Sequence, residues 1–236
     1  MDNRLPKPKF SKGRRNAKTR WLCAPLLFLL LFPLFAGCDM LATPQAGDNE
    51  GGATTNVGAG DDNDELVRIG TFNIQVFGQS KLKKSDVMEV LAEVALRFDV
   101  LAIQEVRSID QNVLPRLVEL INSKDANYDF VIGPRQGRTT SKEQYAFVYN
   151  RARLAVDDRF VYSVDDPDDL LHRPPLVARF QTVRPSASQA FTFTLINIHT
   201  DPDEVSGEFN ELNVLDDVVK AVRNDGSGED DIILLG

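Results

Sequence analysis

Between Leu66 and Leu235 the chain alternates short runs of strand character with segments whose apolar residues recur at helical spacing, and this alternation restricts its fold more than any other feature. Strands are predicted over Leu66–Ile74, Asp99–Val106, Tyr128–Ile132, Tyr145–Tyr149, Phe160–Val164, Leu176–Thr182, Phe191–His199 and Ile232–Leu235. Helices are predicted around Val87, Val90, Leu91 and Val94, around Leu114, Leu117, Val118 and Ile121, and around Leu212, Leu215, Val218, Val219 and Val222. Pro115 falls in the first turn of the second helix, where proline is tolerated. Asp225-Gly226-Ser227-Gly228 ends the third. Alternating elements of this kind imply an α/β sheet sandwich, and the run of strands without helices in the middle implies antiparallel pairing there. The last element is a wholly apolar strand, whereas chain ends normally lie at exposed positions, so the domain is expected to be incomplete at its C-terminus.

Charge divides the chain in two. The formal net charge is −8, yet the first 37 residues carry eight of the 27 basic side chains and one of the 35 acidic ones. The remainder is left with 19 basic against 34 acidic groups. So acidic a body cannot hold a polyanion by a general field, because non-specific affinity comes from neutralising phosphates with Lys and Arg. Any nucleic-acid role must rest on a local site and on divalent cations.

The basic N-terminus runs directly into the apolar stretch Trp21–Ala36, interrupted by Pro25 and Pro33 and too short for a spanning helix. It ends in Ala36-Gly37-Cys38, which resembles the lipobox of bacterial lipoproteins. That resemblance implies a signal peptide over 1–37, lipidation of Cys38, and an exported protein anchored at the cell-envelope membrane; an ordinary cleaved signal, and hence secretion, is the alternative. Residues 38–64, rich in Gly, Ala, Thr, Asn and Asp, read as a disordered tether. Cys23 and Cys38 are the only cysteines, so the domain from Glu65 onward has no pair to cross-link and relies on its apolar core.

Four polar residues stand at the ends of apolar strands, where open α/β sheets present their ligands. They are Asn73 in TFNIQVFG, Glu105 in LAIQEVRS, Glu143 in SKEQYAF and His199 in LINIHTDPD. Singly, each has an ordinary explanation as a turn former, a solvated strand end or a structural histidine.

As an ordered set, TFNIQVFGQSK, DVLAIQEVR, SKEQYAFVYN, RPPLVARF, INIHTDPDE and DDIILLG resemble the endonuclease/exonuclease/phosphatase superfamily, most of all its pancreatic-type deoxyribonucleases. The resemblance spans 65–236 and implies a four-layered sandwich of two mostly antiparallel sheets flanked by helices. It implies that Glu105 and Asn73 hold Mg²⁺, with Mn²⁺ as a substitute, that His199 works at the scissile phosphate, and that Glu143 orients it. It further implies that Arg107 and Arg173 contact DNA. Gln75 stands where these enzymes have arginine, and Ser141 where they have a stacking aromatic, which weakens the case for duplex DNA. The acidic loop with Asp165, Asp166, Asp168 and Asp169 occupies the family's calcium-binding region. The cysteines there are missing and Pro174 replaces a glutamate ligand, so a solvated loop is expected over a Ca²⁺ site through Asp166 and Asp169.

By this resemblance the chain stops before a later Asp-x-Asn and Asp-His set, so 65–236 is expected to be the N-terminal part of the domain. The expected function is a Mg²⁺-dependent phosphodiester hydrolase, a deoxyribonuclease-like endonuclease acting as a monomer. The alternatives are a phosphatase or sphingomyelinase-like phosphodiesterase of the same superfamily, and a non-catalytic lipoprotein fragment.

Overall fold

The computed structural model describes residues 66–201 and 210–236. The expected signal peptide over 1–37, the expected lipidation site Cys38 and the expected tether over 38–64 lie outside the described residues. The described chain forms β1 (Ile69–Phe77), α1 (Gln79–Leu82), α2 (Ser85–Ala95), β2 (Val100–Val106), α3 (Val113–Asn122), β3 (Tyr128–Ile132), β4 (Gln144–Asn150), β5 (Leu154–Ser163), β6 (Leu176–Thr182), β7 (Thr192–Asn197), a 3-10 turn (Glu211–Val214), α4 (Leu215–Arg223) and β8 (Ile232–Leu235). Two four-stranded sheets result, ordered β1-β2-β4-β3 and β5-β6-β7-β8. Both are mixed. The pairs β1/β2 and β7/β8 are parallel, the chain between each pair containing a helix, and the remaining neighbours are antiparallel.

The two-residue period of the strands generates the layers. In β2, Leu101 and Ile103 pack with the helical residues Leu91, Leu114, Leu117 and Ile121 on one side. Val100 and Ala102 point the other way, joining Tyr145 and Phe147 of β4 against Leu176, Ala178, Phe180, Phe193 and Leu195 of the second sheet. Val177 and Ile196 leave the far face of that second sheet to pack with Val214, Val218 and Val222. The order is therefore helices, sheet, sheet, helix, the four-layered sandwich expected. Strand β2 is buried on both faces, which is why it reads as a continuous apolar run. At the centre, the Phe180 ring meets Phe147 edge-on at 5.6 Å and stacks on Phe193 at 5.7 Å.

Several elements depart from the sequence expectation. The buried face of α2 is Met88, Leu91, Ala92 and Ala95, the predicted spacing displaced by one residue, and Val90 is exposed. Small Ala92 and Ala95 are fully buried in the core, and a count of large apolar side chains misses them. Leu212 is exposed because it lies in the 3-10 turn, not in α4. Strand β1 starts later than predicted and continues to Phe77 through an irregularity that carries chemistry.

Candidate active site

Parallel pairing brings the C-terminal ends of β1 and β2 to one edge of the first sheet, and the antiparallel β4 begins at that same edge. Both β1 and β2 are bulged there. Their register shifts between Asn73 and Phe77 and between Ile103 and Val106. Ile74 and Phe77 both face the helices, as do Ile103 and Val106, three residues apart where a regular strand would require two or four. The extra residue is absorbed by positive φ at Gln75 (51°), Val76 (60°) and Glu105 (60°), conformations that β-branched and other non-glycine residues adopt at a cost of about 1–3 kcal/mol each. The bulge frees Glu105 from the apolar face. Close beside it, a Cβ on Gly78 would meet the Arg107 carbonyl oxygen at 2.8 Å, so this approach requires glycine.

Glu143, just before β4, is held by backbone pairing with Gln136 across the preceding loop. Its side chain is 1% exposed and makes three charge-assisted contacts. Oε1 lies 2.6 Å from His199 Nδ1 and 2.8 Å from Arg173 Nε, and Oε2 lies 3.0 Å from Arg107 Nη2. Burial alone would push the carboxyl's pKa up; the His199 hydrogen bond and the Arg173 and Arg107 charges outweigh it and hold the pKa below its ordinary value.

His199 follows β7 of the other sheet, so the site is assembled across the sandwich. Its backbone N–H donates to the Tyr145 hydroxyl at 2.8 Å. Burial raises the Tyr145 phenol far above its ordinary range, so this anchor stays neutral. On the other side of the ring, His199 Nε2 lies 3.8 Å from Glu105 Oε1 and 3.4 Å from Asn73 Nδ2. Asn73 Nδ2 in turn donates to Glu105 Oε1 at 3.1 Å, and the Val76 N–H in the bulge donates to Oε2 at 2.9 Å. All four strand-end residues singled out in the sequence thus meet at one point.

The residues beside that point suit a hard divalent cation. Asn73 turns Oδ1 onto the Gln75 N–H at 2.8 Å, and a half-turn of its amide would set that oxygen beside the Glu105 carboxylate. One carboxylate and one amide oxygen fit Mg²⁺, which keeps several waters, and are too few for an all-protein Ca²⁺ cage.

The arginines differ from each other. Arg107 is 27% exposed, reaches Glu105 Oε2 at 3.3 Å as well as Glu143, and donates through Nη1 to Ser141 Oγ at 2.8 Å. Arg173, expected as a DNA contact, is 9% exposed and directs Nε to Glu143 and to the His199 carbonyl at 3.2 Å. Burial turns it inward as the counter-charge of Glu143. The side chains of Asp166 and Asp169 have different partners. Asp166 accepts from the N–H groups of Leu170 (3.1 Å) and Leu171 (2.8 Å), while Asp169 is 81% exposed and faces Arg138. The loop is organised by turn hydrogen bonds.

Sequence reasoning missed the polar support beneath the site. Gln104 Nε2 donates to Asn197 Oδ1 at 2.6 Å, and Asn197 Nδ2 donates to the carbonyls of Ile103 and Ala146 at 3.2 and 3.0 Å. Both side chains are fully buried and tie the first sheet to the second. The available signal was a lone amide inside each apolar run, LAIQEV and LINIH. Glu211, which binds the backbone of His172 and Asp201, carried no such signal.

The sequence profile of the Endonuclease/Exonuclease/phosphatase family matches residues 70–227. Deoxyribonuclease gamma of Rattus norvegicus is 31% identical over 173 residues, covering 71% of this chain and 54% of that protein. Deoxyribonuclease-1-like 2 of Homo sapiens is 33% identical over 189 residues, covering 72% of this chain and 61% of its own. Deoxyribonuclease-1 of Sus scrofa is 32% identical over 176 residues, covering 72% and 59% respectively. Among solved structures, the mannosyl-6-phosphatase Bt3783 of Bacteroides thetaiotaomicron superposes with a TM-score of 0.47 at 16% identity, covering 72% of this chain and 64% of that one. The chain therefore spans little more than half the length of the curated relatives it matches. On the profile match and these identities, the chain belongs to the endonuclease/exonuclease/phosphatase family.

Proposed function

We propose that the protein is a divalent-metal-dependent phosphodiesterase of deoxyribonuclease type, acting on DNA. The observation that carries this reading is the Glu143–His199 pair, 2.6 Å from Oε1 to Nδ1, with Nε2 turned towards Glu105. A proton on Nδ1, donated to Glu143, leaves Nε2 bare on the cleft side, where it can take up or return a proton at a phosphodiester oxygen. Arg173 and Arg107 keep Glu143 ionised while it orients the ring. Glu105 and Asn73 would hold a Mg²⁺ ion, for which Mn²⁺ could substitute, and when bound it would supply Lewis-acid stabilisation of charge on the phosphoryl oxygens. Arg107, whose side chain is 27% exposed, is the residue that reaches the DNA backbone or groove.

The test is plasmid nicking by the full-length protein with Mg²⁺, with EDTA, and in a His199→Ala variant. A positioned histidine contributes about 10²–10⁴-fold, and a loss of that size is expected. Nicking that survives EDTA, or full activity in His199→Ala, removes the reading. Ser141 offers no stacking face beside Arg107, and its hydroxyl already accepts that arginine's N–H. This favours keeping single-stranded DNA, RNA and phospholipid in the substrate panel, where phosphatase or sphingomyelinase-like activity would emerge. The same proposal has the protein exported, monomeric and anchored through lipidated Cys38. Incorporation of labelled fatty acid that persists in Cys38→Ser would remove the anchor.

A further inference from the structure

We propose that Glu211 is a positioning residue for the Glu143–His199 pair, fixing the backbone that presents two of Glu143's three partners, His199 and Arg173. This rests on the hydrolase reading for its consequence, though not for its geometry. Glu211 begins the 3-10 turn ahead of α4, and it is 2% exposed. Its two carboxylate oxygens accept from backbone N–H groups of two different segments. Oε1 binds the His172 N–H at 2.6 Å, and Oε2 binds the Asp201 N–H at 2.5 Å. His172 immediately precedes Arg173, and Asp201 lies two residues beyond His199. One carboxylate thereby sets the distance between the segment that carries the arginine and the segment that carries the histidine.

The other restraints on those segments show what this tie adds. The His199 segment is anchored on its near side by Tyr145, whose hydroxyl accepts the His199 N–H at 2.8 Å. Its far side is anchored at Asp201 by Glu211, so the histidine is held between two fixed points. Side chains repeat the connection, with His172 Nδ1 3.5 Å from Asp201 Oδ2 and Arg173 Nε 3.2 Å from the His199 carbonyl. A carboxylate suits the role because it is acceptor-only with two oxygens, so it can satisfy two backbone donors at once. Glutamine presents one acceptor oxygen and an NH₂, and can keep only one of the two bonds. Alanine keeps neither. Since displacement of a catalytic group by about 1 Å can lower the rate as much as 10²-fold, loosening this tie should act on turnover.

His172 and His199 are the only histidines in the chain, which makes the ring protons separately observable by NMR in full-length protein without an affinity tag. A His199→Gln variant assigns the two. The short Nδ1···Oε1 contact predicts a slowly exchanging, downfield ring N–H for His199 in the unaltered protein. In Glu211→Ala that resonance should broaden or vanish, and in Glu211→Gln it should weaken to an intermediate degree, with the far-UV circular dichroism and the β4 and β6 amide shifts unchanged. If nicking is measurable, kcat should fall about 10–100-fold in Glu211→Ala with KM nearly constant, because Glu211 touches no substrate. A folded Glu211→Ala with the His199 resonance unchanged in position and width overturns the proposal. Should Glu211→Ala fail to fold, an unchanged resonance in Glu211→Gln overturns it equally. Unaltered protein that shows the resonance but never nicks nucleic acid sinks the hydrolase reading and leaves the positioning role standing.

Discussion

Replacing Glu143 by glutamine preserves shape and removes one charge, so its cost isolates the ion-pair network at the centre of the site. Glu143 is 1% exposed, and its strongest cationic partner, Arg173, is 9% exposed, so the substitution leaves a largely buried arginine without its carboxylate counter-charge. Breaking a buried pair from one side costs about 3–5 kcal/mol. The lower end of that range applies. Arg107 is 27% exposed and keeps Glu105 at 3.3 Å, so it can be resolvated, and the glutamine oxygen retains one acceptor. A loss of about 3 kcal/mol is therefore expected for Glu143→Gln, lowering Tm by roughly 6–12 °C in a domain of this size. Urea titration followed by tryptophan-independent far-UV circular dichroism measures it directly. The decisive comparison is Glu143→Gln with Arg173→Met, which removes the stranded charge as well and should recover at least about 1 kcal/mol relative to Glu143→Gln alone. A Glu143→Gln loss under about 1 kcal/mol, or a double variant no more stable than the single, would refute the claim that this network is desolvated.

Three further outcomes are expected. Because the folded-state pKa of Glu143 is held below its ordinary value, the unfolded chain takes up the proton first as pH falls; the stability it confers is full above the ordinary carboxylate range and is lost as pH drops through its lowered folded pKa, and acid titration of Glu143→Gln should lack that increment. Gly78→Ala introduces a Cβ 2.8 Å from the Arg107 carbonyl, at a backbone φ of −142° that alanine tolerates, so its cost is steric, about 1–3 kcal/mol by chemical denaturation, and should be accompanied by weakened activity through Arg107. Asp166→Ala removes acceptors for the Leu170 and Leu171 N–H groups and should cost about 1.5–3 kcal/mol, while added Ca²⁺ leaves the melting temperature of either protein unchanged through this loop; a Ca²⁺-dependent rise lost in Asp166→Ala would restore the calcium site.

The α/β sheet sandwich was legible because layers are a consequence of periodicity, and its four layers were implied by the family resemblance. Strand β6 falls where alternating Leu176, Ala178 and Phe180 require it, and α3 falls where Leu114, Leu117 and Ile121 recur at helical spacing. The face of α2 was misjudged by one residue since alanine contributes little to a hydrophobicity count yet is buried as readily as larger apolar side chains. Of the site, Asn73, Glu105, Glu143 and His199 stood out by lying at strand ends. Arg173 was expected to contact DNA, because nothing in HRPPLV tells whether an arginine faces outward or towards a carboxylate 30 residues earlier in the chain.

The amino-acid sequence alone determined the elements, the acidity of the domain and the residue types available for chemistry, since propensity, period and charge act within a few neighbouring residues. Only tertiary structure decided which of those residues share a cleft. The bulges that swing Glu105 off the apolar face, the burial of Arg173 against Glu143, and the carboxylate of Glu211 spanning two backbone segments all join parts of the chain that are far apart in sequence. Their energies depend on desolvation and on distances set by packed sheets, and neither quantity exists until the sandwich has closed.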